Sequence, residues 1–183
     1  VAAPQVDGQA GVATALRDAS KEIIGLHDEF FQGIYGYCAF RLFSKDIAED
    51  AACAVFLKLV QEYPNLGNKS GPGMRNWLYG TASNVIAGLL RDAKRQKKIL
   101  ADLARSKGVK PSDTTEYRLD WPALYEAIAR LRPQYQDIVA LRYFQQLDTA
   151  AIAGALGITR VTARVRLMRA VKRLKRELGD RFD

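Results

Sequence analysis

The run Leu147–Arg176, LDTAAIAGALGITRVTARVRLMRAVKRLKR, constrains the fold more than any other stretch of the chain. Its apolar residues fit two short helices, one over Thr149–Leu156 and one from about Arg160, with Gly157 as turn residue and Thr159 as N-cap between them. Gly157 supplies the positive φ of a tight turn, and Ala153, four residues earlier, is small enough for two helices to cross closely. Ile152, Leu156 and Ile158 offer the apolar contacts that fix the pair as a helix-turn-helix. In the second helix Ala163, Leu167, Ala170, Leu174 and Leu178 recur at spacings of three and four and form the expected buried stripe. Arg166, Arg169, Arg173 and Arg176 are expected on its far side. Arg160 to Arg176 contains eight Lys or Arg, and no Asp or Glu occurs from Thr149 to Arg176. A solvated amphipathic helix ordinarily mixes both signs to gain intrahelical pairs, so a surface of one sign suits a polyphosphate.

The remainder also reads as helical. Helical periodicity recurs along the 183 residues, strand signals are scarce, and 48% apolar content with six prolines favours ordered structure. The expected class is all-α: two small helical domains joined by a flexible linker, the second a four-helix unit carrying the helix-turn-helix. A net charge of +8 points to an anionic partner. No apolar run approaches a membrane span and no signal-peptide pattern opens the chain, so no membrane insertion and a cytoplasmic location are expected. Cys38 and Cys53 lie among apolar neighbours and read as buried reduced thiols, and His27 is the sole histidine. With no zinc ligand set, no nucleophile–base pair and no Gly-rich phosphate loop, neither metal, cofactor nor catalysis is expected.

Residues 1–19 are expected to be a mobile segment, with Ser20 capping a first helix that ends near Phe43 and buries Ile23, Ile24, Phe30, Ile34, Tyr37, Cys38 and Leu42. A second helix is expected from Asp46, with Asp46 and Glu49 as a capping box, to about Glu62. Asp46, Glu49 and Asp50 complement the helix dipole there, which explains their position and leaves open a second use, since an acidic patch on a basic chain also suits docking of a basic partner. YPNLGNKSGPG, Tyr63 to Gly73, is a loop, and a third helix follows from about Met74 with a basic far end at Arg91, Lys94, Arg95, Lys97 and Lys98. Trp77 and Tyr79 near that basic track suit stacking on unpaired bases, although the helical spacing of Trp77 favours a core anchor. These parts divide the chain into a domain over 20–105, a linker over 106–120, and a domain over 121–183 with helices at Trp121–Leu131 and Gln134–Phe144.

In this order the parts resemble a bacterial RNA polymerase sigma factor of the extracytoplasmic-function class. DIAEDAACAVFLKL, Asp46–Leu59, resembles the D-x-x-E-D-x-x-Q-x-x-F pattern of that family, RNWLYGTASNVIAGLLR, Arg75–Arg91, its R-x-W-L-Y-x-I-A-x-N segment, and Leu131–Ala170 its L-P-x-x-x-R-x-V-x-x-L-R-Y stretch and helix-turn-helix. The resemblance implies that Asp46, Glu49, Asp50 and Phe56 grip RNA polymerase core. It implies that Asn65, Asn68, Lys69, Ser70, Trp77, Tyr79, Asn84 and Arg91 hold a base flipped from the melted downstream element of promoter DNA. Thr159, Arg160, Thr162, Arg164, Arg166 and Arg169 would then read the upstream element as duplex, and an anti-sigma factor is a further partner the class allows. Cys53 replaces the usual Gln, Gly88 stands where Asp is common, Thr81 and Ser83 replace frequent Ile and Arg, and Val161 and Val165 replace frequent Gly and Ser. A Val in the groove can meet a thymine methyl. Two other classes fit parts of the pattern: a self-sufficient helix-turn-helix regulator with an N-terminal sensing domain, and a nucleic-acid enzyme, which the lack of clustered carboxylates disfavours.

Overall fold

The computed structural model describes residues 7–67, 71–107 and 122–179, and among these it contains helices and turns but no strand. Helices α1 (Asp7–Leu42), α2 (Lys45–Glu62) and α3 (Pro72–Lys107) form one group, with a 3-10 turn at Tyr63–Asn65 before α3. Helices α4 (Pro122–Ala129), α5 (Pro133–Val139), α6 (Thr149–Leu156) and α7 (Arg160–Leu178) form the other, with a π-helical turn over Ala140–Phe144 after α5. Most of the expected linker, residues 108–120, lies outside the described residues, as do Asn68, Lys69, Ser70 and Trp121.

Local chemistry moves several boundaries. Helix α1 begins at Asp7, so Ser20 is a mid-helix residue and not its cap; Ala10, Ala13, Ala15 and Leu16 are strong helix formers and offset the propensity penalty of Gly8 and Gly11. Helix α2 is capped by Ser44, whose hydroxyl accepts the Ile47 N–H at 3.3 Å, so Asp46 sits inside the first turn and the expected Asp46/Glu49 capping box does not form. Two proline-led starts, at Pro72 and Pro133, place α3 and α5 slightly earlier than apolar periodicity suggests.

In the first group Ile34, Tyr37 and Cys38 of α1 pack against Ala52, Val55 and Leu59 of α2 and Met74, Leu78 and Ile86 of α3. In the second, Ile128, Ile138, Leu141, Ile152, Ala163 and Ala170 are fully or almost fully buried. Both sets belong to one continuous core, because α6 lies on α3 and the π-helical turn lies on α1. Ile24 is largely exposed instead of buried, and so is Cys53, two turns beyond Asp46 on the outer face of α2. Cys38 is buried as expected, which pushes its thiol up to about 12.

Candidate nucleic-acid interface

The turn between α6 and α7 is built as its residues dictate. Gly157 has φ +62°, the Ile158 N–H donates to the Ala153 carbonyl at 3.0 Å, and the chain leaves α6 in a Schellman-type stop. Thr159 caps α7, its hydroxyl accepting the Thr162 N–H at 3.1 Å and lying 2.9 Å from the Thr162 hydroxyl. At the other end of α6 the Asp148 carboxylate accepts the Ala151 N–H at 2.7 Å. That N–H, helped by Arg75 and Arg160, holds the Asp148 carboxyl below its ordinary value.

On α7, Ala163 and Ala170 are buried and Leu167, Leu174 and Leu178 half-buried, as the stripe predicts. The exposed large apolar residues are Val161, 73% exposed, and Met168, two turns later, flanked by the exposed Arg160, Arg164, Arg169, Lys172 and Arg176. Arg166 and Arg173 are half-buried instead of lying on the far side; the Arg173 guanidinium sits 5.2 Å over the buried ring of Tyr135. The cap occupies Thr159 and Thr162, which leaves Arg160, Arg164, Val161 and Arg169 as the groups best presented to a groove.

The second site forms on α3. Trp77 and Asn84 line a cavity of about 480 Å³ together with Asn76, Thr81 and Ser83, and its opposite wall is Gly154–Gly157 of the helix-turn-helix. Asn84 is exposed and Trp77 half-buried. Tyr79 turns away: it is buried, donates its hydroxyl to Gln145 at 2.9 Å and meets the Tyr37 ring edge-on, so it offers no face to a base. Asn65 donates to Glu62 at 3.4 Å. Beyond them Arg91, Lys94, Arg95, Lys97 and Lys98 line a shallow cationic groove along α3. Sequence did not single out Asn76, nor the α6–α7 turn as a wall of this cavity; for Asn76 the available signal was its spacing from Ser83, two helical turns.

A third face lies on α2. Asp46, Glu49 and Asp50 are exposed, whereas Phe56 is 7% exposed and packs edge-on to His27 at 5.0 Å, backing that face from inside the core. Leu57, 60% exposed, and Val60 continue the outer face below the acidic end, a half-apolar extension that the charges alone did not indicate.

A family model for sigma-70, region 4, matches residues 122–174, which run from α4 into the last turns of α7. The chain is 28% identical over 85% of its length to the ECF RNA polymerase sigma factor BldN of Streptomyces coelicolor, of which it spans 60%. It is 27% identical over 96% of its length to the ECF RNA polymerase sigma factor SigL of Mycobacterium tuberculosis, of which it spans 97%. Its fold matches the sigma factor RpoE of Bartonella quintana, solved in complex with the anti-sigma factor NepR, at a TM-score of 0.67 and 18% identity over 88% of this chain and 99% of that one. A region 4 match on the capped helix-turn-helix, together with relatives that align along 85% and 96% of the chain, makes both halves similar to the extracytoplasmic-function class of sigma factors.

Proposed function

We propose that the chain binds bacterial RNA polymerase core, recognises promoter DNA and starts transcription, in the cytoplasm and without catalytic chemistry of its own. The observation that carries this reading is α7: a Thr159-capped helix whose outer face bears Arg160, Arg164 and Arg169 and no acidic residue before Glu177. A helix of that kind enters a major groove with its N-terminal turns, and its charges release counterions from phosphate. Asn84 and Trp77, beside the cationic groove of α3, suit an unpaired base held by a polar group and an aromatic face. The acidic and apolar outer face of α2 suits a partner surface that mixes basic and apolar groups. An anti-sigma factor is a further partner, by likeness to the Bartonella protein solved with one.

This reading is tested by gel filtration with purified bacterial core enzyme and by footprinting the complex on DNA selected from a random library. Co-elution with core and protection of two separated elements, with permanganate-reactive thymines in the downstream one, are expected. Tight binding of a palindrome by a dimer of the chain alone would instead make it a self-sufficient regulator.

A further inference from the structure

Helix α7 carries an apolar line along the part of its surface that lies farthest from the core. Val161, Val165, Met168 and Lys172 follow one another at spacings of four, three and four, which sets them on a single meridian of the helix. Ala163 and Ala170, both fully buried, lie on the opposite side. Val161 is 73% exposed and Met168 is 63% exposed, with the half-buried Val165 between them. Arg160 and Arg164 run along one side of this line and Arg169 and Arg176 along the other, all four exposed.

The fold makes no use of either exposed residue, and the polar groups beside them are already engaged. Thr159 accepts the Thr162 N–H at 3.1 Å and the two hydroxyls lie 2.9 Å apart, so the hydroxyls of the first turn are held by the cap. Single apolar side chains scattered over a surface need no explanation. Val161 and Met168 are not scattered: they are aligned on the outer line of a helix in which Arg160–Arg176 holds eight Lys or Arg.

The major groove of duplex DNA is about 12 Å wide, close to the diameter of an α-helix with its side chains. A helix lying in it therefore points its outer meridian at the floor and its flanks at the phosphate walls. On α7 this sets Arg160, Arg169 and Arg176 toward the walls, Arg164 toward a base edge beside the line, and Val161 and Met168 onto the floor. The floor is lined by hydrogen-bonding groups, and its largest apolar group is the 5-methyl of thymine. An apolar side chain laid over guanine O6 or cytosine N4 excludes water and leaves that group without a partner. Laid over a thymine methyl, it buries two apolar surfaces against each other.

We infer that Val161 and Met168 are specificity-determining residues that read thymine 5-methyl groups, so that the upstream element carries A·T pairs beneath the outer line of α7. This rests on the reading of α7 under Proposed function and goes beyond it in naming the base and the atoms that are read.

The test uses the full chain bound to core polymerase and the upstream duplex that this complex selects from a random library. Replacing every thymine of that duplex by deoxyuridine removes the methyls and keeps the pairing and the hydrogen-bonding edges. Titration at one salt concentration, followed by fluorescence anisotropy, is expected to show binding weakened about three- to fourfold per methyl read and about tenfold for two. Duplex made with 5-bromodeoxyuridine, whose bromine fills the place of the methyl, is expected to bind as the thymine duplex does. Val161→Ala and Met168→Ala are each expected to narrow the difference between thymine and uracil duplexes, and the double variant to abolish it, with the melting temperature of the chain unchanged. Equal affinity of the parent for the two duplexes overturns the inference. So does a double variant that still distinguishes them, or a selected element without thymine on either strand. If the complex binds no upstream duplex at all, the reading of α7 as a DNA reader fails, and this inference with it.

Discussion

At the residue scale, two side chains separate base reading from phosphate binding. Arg164 is exposed one turn into α7, where a guanidinium reaches base edges. Arg164→Ala is expected to weaken upstream-element binding by about 1–3 kcal/mol and to relax discrimination; an equal loss on scrambled duplex in a gel-shift titration would show a phosphate contact only. Asn84 is exposed beside Trp77. Asn84→Ala is expected to reduce open-complex formation by on the order of tenfold, the worth of one base-edge contact, while upstream-duplex binding by the full chain is unchanged. Unchanged permanganate reactivity would remove Asn84 from the site. Sequence alone did not tell which of the expected interface side chains look inward. Tyr79 and Phe56 carry the right chemistry for an interface, yet both are buried, because helical spacing puts them beside Leu78 and Val55 on the core side. Aromatic residues give no local signal that separates a stacking platform from a core anchor.

At the element scale, the helix-turn-helix was legible nearly to the residue. Gly157 and Thr159 act through φ and a hydroxyl acceptor, both local properties. The π-helical turn at Ala140–Phe144 was not, since Gln134–Phe144 has uninterrupted helical periodicity and the irregularity arises where this segment packs on α1. Asp148 was missed as the cap of α6, and it makes that helix acid-sensitive. Its folded carboxyl lies below the ordinary 3.8, so the stability it adds is fully present above that value and is lost as pH falls through the lower, folded one. Thermal melts of the full chain in acid should therefore fall less steeply with pH for Asp148→Ala than for the parent; parallel slopes would show that the cap contributes nothing there.

At the scale of the whole molecule, charge is sorted by face: acidic at the outer end of α2, cationic on α7 and at the far end of α3. The sorting and the all-helical class could be read from the chain, because both follow from short windows of sequence. The docking of the two groups could not. It depends on Arg41 meeting Asp137 across 96 positions and on glycines whose importance lies in what they touch, and neither has a periodic signature. Asp50→Lys reverses charge in the acidic patch without entering the core, so assembly with polymerase core in a pull-down is expected to fall about tenfold while the melting temperature holds; undiminished capture would move the docking face elsewhere. The most direct measurement is run-off transcription with purified bacterial core enzyme on templates selected by that complex. Transcripts with discrete starts that appear only when the chain is added, and fade with Arg164→Ala, are the expected result; a transcript profile identical to that of core enzyme alone would contradict the assignment.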